Sequence, residues 1–123
     1  MTQLLHADIT GYIIDASCEV WKVLGYGFLE KVYENALTHE LRGKGLEVHQ
    51  QVGIDVCYKG AVVGQYVADL FVEGKVIVEM KAEKELNSRH EAQLLNYLKA
   101  TNVRVGFLVN FGEKKCEWKR LVM

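Results

Sequence analysis

The feature that most restricts how this chain can fold is a change of hydrophobic period at Val48. Before it, apolar residues recur at helical spacing: Ile9, Ile13, Ala16, Val20 and Val23, then, past the break "GYG", Leu29, Val32, Ala36, Leu37 and Leu41. From Val48 onward the period is two, with Val48, Val52, Ile54, Val56 and Tyr58 alternating with polar or small residues. Helices at about 6–24 and 28–43 therefore precede a sheet. "YKGA" predicts a tight turn at Lys59-Gly60 and a return strand over about 61–72, and "VEGK" turns the chain into a third strand over about 75–81. "NSRHEAQLLNYLKA" predicts a helix, with Ser88 and Glu91 spaced as a capping box. "VRVGFLVNF", Val103 to Phe111, is almost continuously apolar, as in a strand buried on both faces. "KCEWKRLV" is charged, as suits a sheet edge. The expected fold class is α/β, a mixed five-stranded sheet flanked by helices in the order α-α-β-β-β-α-β-β.

Composition narrows the partners. At 123 residues with no proline, repeat or linker, the chain reads as a single domain over 1–123, large enough for a real core. A formal net charge of −1 argues against a strongly basic nucleic-acid binder but leaves room for a local basic patch. "MTQLLHADIT" does not read as a signal peptide, and no segment approaches a membrane span. Cys18, Cys57 and Cys116 are widely spaced and odd in number, as expected of reduced thiols in a cytoplasmic protein.

Within "VIVEMKAEKE" Glu79 and Lys81 interrupt an apolar strand, where burying a charge is costly unless it is paired or binds a metal. A three-residue loop, Glu73-Gly74-Lys75, sets Val72 against Val76 and hence Asp69 against Glu79, with Lys81 on the same face. A two-residue loop would put the two carboxylates on opposite faces. Directly opposed carboxylates, with Cβ atoms about 4.5–5.5 Å apart, repel unless a cation sits between them. Mg²⁺ suits such a pair, since it takes one or two carboxylates together with waters and phosphate oxygens. Lys81 could orient or deprotonate water, or stabilise charge developing on a phosphate. These three residues also fit a plain solvated charge cluster at the end of a hairpin.

The segment "GFLEKVY" supplies Gly27-x-x-Glu30-x-x-Tyr33, and the chain continues through "VADLFVEGKVIVEMKA" and "HEAQLLNYLKATNVRVGFLVNFG". Together these motifs resemble the GxxExxY protein family, a branch of the PD-(D/E)XK nuclease superfamily, over nearly the whole chain. The resemblance implies a restriction-endonuclease-like core and a metal-dependent nuclease that hydrolyses nucleic acid, DNA ahead of RNA. It places the metal-binding acids on Asp69, Glu79 and Glu30, and the catalytic lysine on Lys81. Gln93 and Tyr97 resemble the Q-x-x-x-Y motif of exonuclease-like branches and would position substrate, with Tyr33 and His90 beside them. Two positions depart from the pattern: Ala68 stands where the name motif has proline, and Tyr26 where members often carry proline.

The residues also admit plainer readings. Glu30, Tyr33, Leu37 and Leu41 share one helical stripe, so Glu30 could be a helix-start acid favoured by the macrodipole. Tyr97 could be a core aromatic whose hydroxyl reaches the surface, and His90 a helix-start residue. The basic and aromatic "KCEWKR" could touch a phosphate backbone or simply form a charged edge. The rival to a Mg²⁺- or Mn²⁺-dependent nuclease is a catalytically inactive nucleic-acid- or protein-binding module on the same fold. A domain of this size offers little surface to grip a duplex. A homodimer or partner protein could complete the groove, with Trp118, Leu121 and Val122 at the contact.

Overall fold

The computed structural model describes residues 4–123. Helices α1 (Ala7–Leu24) and α2 (Glu30–Gly43) are followed by strands β1 (Val48–Tyr58), β2 (Ala61–Val72) and β3 (Val76–Lys81). Helix α3 (Ser88–Thr101) then leads to β4 (Val105–Phe111) and β5 (Cys116–Val122). The five strands lie side by side in sequence order. All neighbours are antiparallel except β3 and β4, which run parallel because α3 carries the chain back across the sheet. This is the α/β architecture expected from the hydrophobic periods. Every residue of β4 is buried, as its unbroken apolar run requires.

The helices cover opposite faces of the sheet. Ile9, Ile13, Ala16 and Val20 of α1 and Tyr33, Leu37 and Leu41 of α2 pack on Val76, Val78, Met80, Phe107 and Val109. On the other face Leu94, Tyr97 and Leu98 of α3 pack on Ile54, Ala68, Ile77 and Leu108. Glu79 and Lys81 alternate with the first set along β3, so they belong to the α3 face.

Two local expectations change. The cap of α3 is Asn87 and not Ser88: its side chain accepts from the Arg89 and His90 amides at 2.9 and 3.3 Å. His90 Nδ1 in turn accepts from the Asn87 amide at 3.3 Å. Asn caps as well as Ser, and capping one residue earlier places His90, rather than Glu91, where it can close the box. The second change lies in β1. Val48 joins the α1/α2 core, whereas Ile54 joins the α3 core, although both are even-numbered positions. The switch occurs at Gln51, which has a left-handed backbone (φ 55°) and drops out of the ladder between Gln50–Leu70 and Val52–Ala68. Such an irregularity turns a strand over, so its two halves present opposite faces. Opposite Gln51, β2 switches too: Leu70 and Val72 face α1 and α2, and Ala68 faces α3. Asp69 stands at that crossover.

Candidate active site

The loop between β2 and β3 has three residues, Glu73 and Gly74 both being left-handed and Lys75 N–H donating to the Val72 carbonyl at 3.0 Å. The register is therefore Val72–Val76, Phe71–Ile77 and Leu70–Val78. Beyond Leu70 and Val78 the two strands part, while β3 continues beside β4 as far as Lys81–Asn110. Parting strands leave backbone amides without ladder partners, and buried amides must be satisfied. The two carboxylates do this. Glu79 Oε1 accepts from the Asp69 amide at 3.2 Å, and Asp69 Oδ2 accepts from the Met80 amide at 3.0 Å. The fork thus fixes both acids by backbone bonds.

Glu79 is 7% exposed. Burial, followed by the neighbouring charge of Asp69 and a hydrogen bond to it, pushes the Glu79 carboxyl up from 4.5 to about 9. Lys81 lies in the same field and opposes that rise. Within 4.0 Å Lys81 has no ion-pair partner among the described residues.

Glu30 begins α2 and reaches the edge of this field. Partial burial raises its carboxyl above the usual range; Lys81 lowers it, Asp69 and Glu83 raise it, and His90 lowers it. Glu30 therefore lies within electrostatic range of Lys81, Asp69, Glu83 and His90. His90 is tied down, with Nε2 3.1 Å from Glu83 Oε2. The loop that carries Glu83 is pinned by buried Asn110, which accepts from the Glu83 amide at 2.9 Å and donates to its carbonyl at 2.8 Å. Across the site, Gln93 Nε2 donates to the Tyr97 hydroxyl at 2.9 Å. Burial raises the Tyr97 phenol, and the charges of Glu79 and Asp69 add to the effect.

Tyr33 is not in this group. It is fully buried, stacked on Phe111 with ring centroids 4.5 Å apart. Its hydroxyl donates to the Gly25 carbonyl at 2.5 Å and accepts from the Phe28 amide at 3.3 Å. The tyrosine of the motif thus ties down the loop before Glu30 and does not line the site.

Residues outside the sequence reading hold β1 where it passes β2. Glu34, 3% exposed, takes Gln51 Nε2 on Oε1 at 2.7 Å. Its Oε2 receives Gln50 Nε2 at 2.7 Å and Lys31 Nζ at 2.8 Å. This network holds the irregular turn of β1 at Gln51, across from Asp69. The signal for it in the sequence was "QQ" interrupting the alternation after Val48.

Among the described residues no three His, Cys, Asp or Glu side chains stand close enough to enclose an ion. The converging pair is Asp69 and Glu79, and Glu30 stands off. That donor set still fits Mg²⁺ or Mn²⁺, whose remaining positions are commonly filled by water and phosphate oxygens.

A family model of the PD-(D/E)XK nuclease superfamily matches residues 7–121, and the chain belongs to that superfamily. Among solved structures it is similar to SSO0001, at a TM-score of 0.60 and 18% identity over 76% of this chain. The chain spans about half of that structure, 49% of its length, and the likeness concerns the fold. It also matches an alkaline exonuclease (LHK-Exo) from Laribacter hongkongensis at a TM-score of 0.47 and 13% identity, over 99% of this chain and 72% of the exonuclease. Among curated proteins none matches the chain. No helix among the described residues is long and apolar enough to cross a membrane.

Proposed function

We propose that the chain is a metal-dependent nuclease of the GxxExxY branch, cleaving phosphodiester bonds of nucleic acid, with DNA ahead of RNA. The observation that carries this reading is the fork between β2 and β3. It holds two carboxylates against each other, one of them buried, with Lys81, unpaired among the described residues, in the same field. Burying an acid this way is costly unless a cation uses it. Asp69 and Glu79 would hold Mg²⁺ or Mn²⁺, with Glu30 as a further or water-mediated ligand. A bound ion would supply an acidified water and neutralise charge on the phosphate. Lys81 would orient that water or stabilise the phosphate's developing charge. The Gln93 amide and Tyr97 hydroxyl would position the substrate from α3. Glu79 must lose its proton to serve as a ligand, so metal affinity rises with pH below about 9. The three free thiols fit a reducing cytoplasm.

The test is a calorimetric Mn²⁺ titration of the wild type beside Asp69→Asn, followed by cleavage assays with Lys81→Ala. The wild type is expected to bind Mn²⁺ and Asp69→Asn to lose most of that binding. Lys81→Ala should keep the metal and lose cleavage by a factor of roughly 10² or more. Equal titration of wild type and Asp69→Asn would refute the reading.

A further inference from the structure

Beyond Ala68 the hairpin of β1 and β2 leaves the rest of the sheet, since β3 pairs only with Leu70, Phe71 and Val72. The projecting arm faces α3 across a groove of about 730 Å³. That volume lies in the ordinary range for small-ligand sites, ~300–1,000 Å³. Tyr97 and Gln93 line the groove, and Tyr97 packs in the same cluster as Ala68, the chain neighbour of Asp69.

The lining has two parts. From the arm comes Tyr66, 50% exposed, whose ring is tilted 44° from Tyr97 at 5.6 Å between centroids. The two rings do not stack, which leaves the Tyr66 face open for a flat group. From α3 come Arg89 and Lys99, one at each end of the wall. Ten residues of helix separate them by roughly 15 Å. Neither has an ion-pair partner within 4.0 Å among the described residues. The acid of the opposite wall, Asp55, already accepts from Gln65 at 3.2 Å. Two free cations spaced along one wall, with an open aromatic face between the walls, match a chain of phosphates carrying unstacked bases.

We infer that this groove holds a stretch of single-stranded polynucleotide beside the carboxylate pair, an inference that rests on the reading of that pair as a cleavage centre. Tyr66 stacks on a base, and Arg89 and Lys99 hold flanking phosphates. Substrate then enters as a single strand or as a frayed end, and a duplex must open before it is cut.

The experiment is fluorescence anisotropy in chelator, where nothing is cleaved, with labelled oligo-dT and oligo-U of about eight nucleotides and a duplex of equal length. The wild type is expected to bind the single strands at least ten-fold more tightly than the duplex. The ratio of dT to U affinity tells DNA from RNA. Tyr66→Ala and Lys99→Glu should each weaken binding by roughly ten-fold, and Lys99→Glu should flatten the salt dependence by about one charge. Lys22→Glu, exposed on α1 across the sheet, is the charge-matched control and should bind as the wild type does. Duplex binding as tight as single-strand binding, or an unchanged affinity in Tyr66→Ala and Lys99→Glu, would overturn the inference. Both groove variants are expected to take up Mn²⁺ normally. Failure of the carboxylate reading therefore shows in the titration, and failure of the groove shows in the anisotropy.

Discussion

Glu79→Gln should make the metal-free protein more stable at neutral pH while destroying its metal site. In the folded chain burial and Asp69 hold the Glu79 carboxyl at about 9, against an ordinary value of 4.5. The folded state therefore keeps a proton between these values that the unfolded state releases. By linkage, stability falls with rising pH wherever the native state binds more protons than the unfolded state. The Glu79 contribution is fully present below about 4.5 and is lost progressively as pH rises towards about 9. Each pH unit is worth about 1.4 kcal/mol, so at pH 7 the loss is about 3 kcal/mol. An amide at position 79 copies the protonated acid: its oxygen can still accept from the Asp69 amide, and its NH₂ can donate to the Asp69 carboxylate. It never has to hold a proton against the solvent. Urea unfolding of wild type and Glu79→Gln in chelator, at pH 5, 6, 7 and 8, measures the difference directly. The two should be within about 1 kcal/mol of each other at pH 5, with the variant ahead by about 3 kcal/mol at pH 7. Parallel stability profiles, or a variant less stable than wild type at pH 7, would refute the reasoning about the buried pair. A site that costs the apo-protein stability is the usual mark of residues kept for activity.

Two further predictions concern the frame around the site. Gly106 in β4 faces α3, and a Cβ there would lie 2.9 Å from Leu94 Cγ and 3.0–3.1 Å from its methyls. Gly106→Ala should cost about 1–3 kcal/mol by overpacking, read as a lower urea midpoint with an unchanged m-value. Glu34→Ala removes the acceptor of Gln50, Gln51 and Lys31 in a buried position. It should cost roughly 1–3 kcal/mol and speed hydrogen exchange at Gln51 and its neighbours before the rest of the sheet. Exchange that speeds up equally everywhere would mean that Glu34 supports the whole fold and not this turn.

Much of the fold could be read along the chain because local signals agreed with one another. Ile9, Ile13, Ala16, Val20, Leu37 and Leu41 of the two helical series enter the core, whereas Val23, Leu29 and Val32, at the helix ends or turned away from the sheet, are exposed. The "VEGK" turn fixed the register through its length, since a loop with Glu73 and Gly74 in left-handed conformations needs three residues here. That register brings Asp69 beside Glu79, where the strands part and backbone amides hold the two acids. Ser88 misled because a capping box is a four-residue pattern that Asn87 and His90 satisfy as well, one position earlier.

Other features depended on contacts between distant segments. An even-numbered apolar series from Val48 to Tyr58 looks like one face of one strand, yet Gln51 turns the strand over, and its cause lies on α2 in Glu34. Tyr33 looked like a neighbour of Glu30 on a site-facing stripe, but its hydroxyl is drawn to Gly25 and its ring to Phe111, seventy-eight positions away. Tyr66, Arg89 and Lys99 carry no motif and meet only because the hairpin arm leans over α3. The sequence by itself determined the elements and their order, because those follow from hydrophobic period and turn signals, and it brought the two acids together only on the condition of a three-residue loop. Tertiary structure decided how deeply Glu79 is buried, where β1 and β2 cross over and what lines the groove, because desolvation and side-chain partners depend on the whole packed chain.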